Sequence, residues 1–454
     1  MAPERAGLIG PALAATVGMV LADSSVVVLA LPEIYRELDV SVSAVVWVLV
    51  AFNLVLAATA VPAARAAGAV GPARLTVAGL LVFAAASLAC GLADNIAVLI
   101  AARCAQAVGG AAAVCASLEL LPAVTDSERR AAAIWAAAGA AGAALGPGIG
   151  GLLTELVSWQ SIFLVQVPAA LLLALPLAGS ALRERRRGAA TKPGRPHLAA
   201  NLALALVSAA LAAALFLVVL LLIEGWRLSP ITAAAAVTVM PCAALLTAPL
   251  ARRVEDVNPR AAAGVILIAG GLAGLGLLPH ASVWLTFPPQ VLVGIGLALT
   301  LSALTEAALE GRAPQAIHGG WTIASRHVGV VAGLLILTPL FTADLETERE
   351  QAEQAGTAAL LDARIPPTAK IELATRISDR IAEEGDKVPV LDPAFEQLPD
   401  DPEERAATLA LQDAITDEVD SAATHAFSRS FLLAAAFGLA ALLPIALARR
   451  RVEL

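Results

Sequence analysis

Charge is what this sequence has least of. Only 15% of its 454 residues are Asp, Glu, Lys or Arg, against roughly a quarter in an ordinary soluble domain. A chain so poor in charge cannot give every helix a polar face, which excludes a string of soluble domains. Cysteine is scarce too. Cys90, Cys104, Cys115 and Cys242 all fall inside apolar runs with no metal-ligand spacing, so they read as small hydrophobes. No Walker loop is present, and the glycine-rich runs lie within apolar segments and not after a strand, so no nucleotide cofactor is indicated. His280, His318 and His425 are too scattered to suggest a metal site. These absences remove the soluble enzyme chemistries, and no cofactor is expected.

What is present is apolar length. Hydrophobic residues make up 59% of the chain. Runs of 20 or more recur, each able to cross a hydrocarbon core of ~30 Å at ~1.5 Å per residue. A single segment can satisfy its own backbone there only as a helix. About twelve spans are predicted, at 8–31, 44–65, 75–95, 97–121, 131–156, 161–182, 198–223, 229–251, 261–279, 283–309, 315–342 and 428–448. The first run is too long for a signal-peptide core and is taken as a retained span. Basic residues gather in alternate loops: Arg65 and Arg74, Arg129 and Arg130, Arg183 to Arg195, Arg252 to Arg260, Arg312, and Arg449 to Arg451. Positive loops face the cytoplasm, so both termini are expected there, in the plasma membrane.

The basic segment 183–197 lacks aromatics and reads as a cytoplasmic linker and topology signal, not a nucleic-acid patch. It divides an N-terminal six-helix bundle, 1–182, from a C-terminal one made of 198–343 and 428–454. The second span ends on Pro62 and Arg65, and the eighth on Pro249 and Arg252, an echo expected of duplicated halves. Residues 344–427 differ in kind. From Asp344 to Ala426 there are 21 acidic and 7 basic side chains, a local charge of −14, whereas the rest of the chain, with 17 acids and 23 bases, carries +6. Leu373, Ile377 and Ile381 recur every four residues before Gly385, a C-cap candidate, and Asp401-Pro402-Glu403-Glu404 has the form of a helix start. Two or three amphipathic helices are expected here as a small extracytoplasmic insert. A disordered acidic loop is the alternative.

Several segments carry a resemblance. They are Leu21-Ala-Asp23 through Pro32, Trp47 through Asn53, Arg103-Cys-Ala-Gln106-Ala-Val-Gly109-Gly110, and Gly142-Ala-Ala-Leu-Gly146-Pro147-Gly-Ile-Gly150-Gly151. Trp159 through Pro168 and Ser325-Arg326-His327-Val-Gly329 complete the set. Together they resemble the drug:proton antiporter branch of the major facilitator superfamily, in its fourteen-span form. The resemblance implies two six-helix bundles that rock about a central cavity, and the glycine-proline motif of the fifth helix would set the direction of antiport. Two departures stand out. Only about twelve spans are visible. In the loop after helix 2, Arg65, Gly71 and Arg74 remain, but Gly68 stands where the family carries an aspartate, while Asp256 keeps the equivalent acid in the second half.

Ionisable groups inside a membrane are costly and mark function by default. Glu119, Glu155, Glu224 and Glu306 lie near span ends, where reaching the headgroups is the simpler reading. Asp23 and Arg103 lie at similar depth on the first and fourth spans and are expected to couple protons, and His327, near mid-membrane on the eleventh span, is a further coupling candidate. A permanent ion pair that only fixes packing is the alternative for the first two, and a neutral hydrogen-bonding role the alternative for His327. Asn53, Gln106, Arg326 and Glu306 are candidate cavity-lining groups. The expected function is proton-coupled export of hydrophobic or amphiphilic compounds. A dedicated exporter of a lipid or secondary metabolite, whose acidic insert docks an extracytoplasmic partner, and a non-transporting scaffold or sensor are the alternatives.

Overall fold

The computed structural model describes residues 3–178, 194–251, 253–384, 391–396 and 398–450. Among these residues the chain is helical without strands, and eleven helices are long and apolar enough to cross a bilayer. In the first half they are α1 (Gly7–Glu37), α2 (Val42–Val70), α3 (Pro72–Gly91), α4 (Ile96–Thr125) and α5 (Glu128–Leu156). The sixth crossing, α6 (Ser161–Ala174), is shorter, about 21 Å at 1.5 Å per residue. The second half holds α7 (Leu198–Gly225), α8 (Pro230–Ala251), α9 (Val257–Gly276), α10 (Val283–Leu309) and α11 (Gln315–Asp362). Then come α12 (Pro367–Glu384) and α13 (Pro402–Ala448), whose second part is the last crossing. Most of the linker expected at 183–197, together with Arg252 and Gly385, lies outside the described residues.

Local chemistry sets the helix starts. The side chains of Ser41, Asn95, Ser127 and Ser229 each accept a backbone N–H of the first turn they precede. Between α2 and α3 the chain turns at Gly71 alone, whose φ of 99° a side chain would resist. Arg65 therefore lies on the last turns of α2 and not in a loop. Around the bundle, Leu81, Leu145, Ile149, Leu246, Ile266 and Leu443 are exposed, the apolar belt of an integral membrane protein.

Glycine sets how closely α1 and α5 approach. A Cβ on Gly142 would lie 2.0 Å from the Gly18 carbonyl oxygen, and one on Gly150 would lie 2.2 Å from that of Val26. At Gly146 it would meet Ser25 Oγ at 2.0 Å. Gly151 points the other way, toward Ala234 and Pro230 of α8 in the second half. The motif thus seats α5 on α1 along its length and touches the opposite half at one end.

The helix does not end at residue 343, where its apolar run ends. α11 runs on unbroken for 48 residues to Asp362, since loss of hydrophobicity alone does not end a helix. α13 enters the bundle in the same way, capped by the Asp401 carboxylate on Glu403 N and Glu404 N. With α12 and the turn Asp392–Phe395 these extensions form a cap that has its own core, including Leu360, Leu373, Leu391, Phe395, Leu411 and Ile415. The cap is fastened to the bundle by Arg227–Asp420 and Arg429–Asp344, each 2.8 Å, and by stacked Phe341 and Phe427.

Candidate functional site

Asp23 lies in the last turn of the regular part of α1, just before the tighter turn Val27–Ala30. It is 1% exposed, and its carboxylate meets the fully buried guanidinium of Arg103 on α4. Only donors surround it. Arg103 Nη1 donates to Oδ2, while Gln106 Nε2 at 3.2 Å and Gln166 Nε2 at 2.8 Å face Oδ1. That arrangement suits a carboxylate and offers no acceptor to a carboxylic O–H. Arg103 also bonds Gln106 Oε1 at 2.6 Å and the Val48 carbonyl of α2 at 3.3 Å. Its guanidinium carbon stands 3.9 Å from the Phe52 ring centroid and 5.6 Å from that of Phe163. A cation over two ring faces is held without a second anion. Its Nη2 has no partner.

A second junction crosses between the halves. His327 of α11 lies 2.5 Å through Nδ1 from Asn53 Oδ1 of α2, and both are buried. The Asn53 amide nitrogen is occupied by the Leu49 carbonyl at 2.8 Å, so Oδ1 is the atom that faces the imidazole. His327 Nδ1 therefore carries the hydrogen in this bond. Asn53 follows Phe52, the residue beneath Arg103. The two junctions thus sit on consecutive residues of α2.

The remaining predicted residues are spread along the bundle. Arg326 is half-buried, on the face of α11 opposite the exposed Trp321, Val328 and Leu335, and pairs with no carboxylate among the described residues. Glu306 lies apart from Asp23 and His327, at the end of α10. It binds Arg260 at 2.6 Å and comes within 4.0 Å of Arg129 on α5. Arg65, Arg74 and Asp256 are exposed and form no ion pair among the described residues. At the opposite end from Glu306, Arg36 of α1 binds Glu224 of α7 at 2.5 Å, so the halves touch near both ends.

Sequence reasoning missed Gln166 and Ser87, which complete the shell around Gln106. The signal was faint: one amide in the apolar run of α6 and one hydroxyl in α3. It also assigned no role to Phe52 or Phe163, and gave Glu224 no partner.

The family model described as Major Facilitator Superfamily matches residues 13–334. The multidrug resistance protein Stp of Mycobacterium tuberculosis is 39% identical over 163 residues, 35% of this chain and 30% of that protein. The methylenomycin A resistance protein of Streptomyces coelicolor is 34% identical over 238 residues, 52% of this chain and 48% of that one. The methyl viologen resistance protein SmvA of Salmonella typhimurium is 36% identical over 152 residues, 33% and 31% of the two chains. Each match spans less than half of the relative's length. Among solved structures, a bacterial homologue of the human lysosomal transporter Spinster, inward-facing and unoccupied, superposes with a TM-score of 0.60 at 17% identity. It covers 98% of both chains, a likeness of fold.

Proposed function

Because the chain belongs to the Major Facilitator Superfamily, we propose that it exports hydrophobic or amphiphilic compounds by alternating access, in exchange for protons. The observation that carries the reading is the buried Asp23–Arg103 pair beside an inter-half bond on the same helix. Rocking of the halves has to break or shift the His327–Asn53 contact. That moves the stretch of α2 whose carbonyl at Val48 and ring at Phe52 hold Arg103. A displaced guanidinium leaves Asp23 free to take a proton, and its return expels that proton. Pairing and protonation thereby become mutually exclusive states of one carboxylate, which is the requirement for coupling.

The relatives named for resistance to drugs, methylenomycin A and methyl viologen support export as the direction. The half-buried Arg326 and the fully buried Asn53 and Gln106 serve the substrate cavity in this reading, and Glu306 serves a latch. With Arg260 and Arg129, Glu306 ties the second half to α5, replacing the aspartate absent at Gly68. Both termini and the central linker are cytoplasmic, the membrane is the plasma membrane, and the cap lies outside. The test is Asp23→Asn in proteoliposomes. It should reach the membrane in normal amounts, lose uphill export driven by a proton gradient, and keep much of its substrate counterflow. Uphill export at the wild-type rate would remove Asp23 as the coupling group.

A further inference from the structure

The cap holds a cavity that neither the membrane bundle nor the transport reading uses. It encloses about 310 Å³ between the extension of α11, α12 and the first part of α13. That is within the usual range for small-molecule sites, roughly 300–1,000 Å³. Its walls are mostly apolar, with Leu345, Leu360, Ile377, Leu391, Ile415 and Val419 among them. Such a space in a water-facing module is poorly filled by water, which needs several polar partners to stay. The floor, at Leu345 and Ala423, lies close above the Phe341–Phe427 stack where the helices enter the bundle.

Charge selects among apolar occupants. Among the described residues, the charged groups at the cavity are Glu348, Arg349 and Glu353, all on α11. Arg349 Nε bonds Glu353 at 3.0 Å, and with two carboxylates to one guanidinium these three groups sum to a net negative charge. The surrounding segment adds a field of the same sign, −14 from Asp344 to Ala426. A neutral hydrocarbon would gain nothing from this field and an anion would be repelled. We propose that the cap cavity is a binding site for compact lipophilic cations, separate from any site between the two halves.

The test uses two probes of the same shape and opposite charge, tetraphenylphosphonium and tetraphenylborate, on the full chain in lipid nanodiscs. Gly356 lines the cavity, and a Cβ there meets only Ile415 at 3.9 Å, so Gly356→Cys fits without strain. Labelling of that cysteine by a water-soluble maleimide is timed with each probe, in a background without the native cysteines. At a free concentration ten times its Kd, a ligand covering the site slows labelling about elevenfold by mass action. Tetraphenylphosphonium should achieve this at a concentration about tenfold lower than tetraphenylborate, and Glu348→Gln should narrow that gap. Gly356→Phe, which fills the space and replaces the reporter position, should abolish high-affinity binding of radiolabelled tetraphenylphosphonium measured directly on the nanodiscs. Equal protection by both ions, or protection by neither, overturns the proposal. So does undiminished cation binding to a folded Gly356→Phe chain. The readout is occupancy and not transport, so it stands or falls independently of Asp23.

Discussion

Alanine at Gly142 is the sharpest perturbation of the α1–α5 seam. The new Cβ would sit 2.0 Å from a backbone oxygen of Gly18 and 2.6 Å from its carbonyl carbon, atoms that cannot rotate away. Restoring an ordinary contact of about 3.4 Å requires the helices to part by about 1.4 Å there. Overpacking of this kind costs about 1–3 kcal/mol. The better helix propensity of alanine returns up to about 1 kcal/mol, so a net loss of about 1–2 kcal/mol is expected. Gly148→Ala is the matched control on the same helix. Its Cβ meets only Thr238 Oγ1 at 3.4 Å, so it should be neutral or stabilising by up to about 1 kcal/mol. Unfolding can be followed in detergent with a thiol-reactive dye that reports the buried Cys90 and Cys115, with Cys104 and Cys242 replaced by serine. Asp23 lies about a turn and a half beyond Gly18 on α1, so a displaced seam should also weaken the proposed proton-coupled export. If Gly142→Ala melts at or above the wild type, α1 and α5 are not packed through this glycine and the argument fails.

Three further outcomes are expected. Arg260→Ala should destabilise the second half by about 1.5–3 kcal/mol, because it removes a hydrogen-bonded cation from Glu306, whereas Arg129→Ala, on a side chain 91% exposed, should cost under about 1 kcal/mol; melting of both variants decides. His197 precedes α7 and accepts the Ala200 N–H through Nδ1, and burial, then the nearby Arg312, lowers its pKa. Its contribution is therefore complete above the ordinary histidine value of about 6.5 and lost as pH falls through the lower folded value, so a melting series from pH 8 to 5 should decline on the acid side less for His197→Asn than for wild type. For sidedness, a cysteine at Glu396 should react with a membrane-impermeant thiol reagent in intact cells and one at Gly188 should not, the reverse pattern inverting the orientation.

The membrane helices were legible because apolar length is a one-dimensional property, and the glycine ladder because its spacing repeats once per turn. The meeting of Asp23 with Arg103 could be argued from depth along two spans, and the structure joins them. Gln166 could not be placed in that way. Its role depends on how far the short α6 sits beside α1, which no local pattern encodes. Glu306 is a second case: the sequence offered headgroup reach or a cavity role, and gave no sign of the Arg260 that packs beside it where α9 meets α10. The continuity of α11 through residue 343 was not legible, because hydropathy reports the solvent around a helix, not whether the helix continues.

α11 is one rod from the inter-half junction at His327 to its tip at Asp362, continuous through Pro339 and clamped by Asp344–Arg429. About 35 residues at 1.5 Å each place the tip about 52 Å from that junction. A tilt of about 10° around His327 would then sweep Asp362 through about 9 Å relative to the first half. The cap is thus a pointer whose far end magnifies motions too small to follow inside the bundle. A dye pair on Asp362 and on Asp94, in the exposed turn between α3 and α4, would turn the proposed rocking of the halves into a distance that single molecules can display in real time.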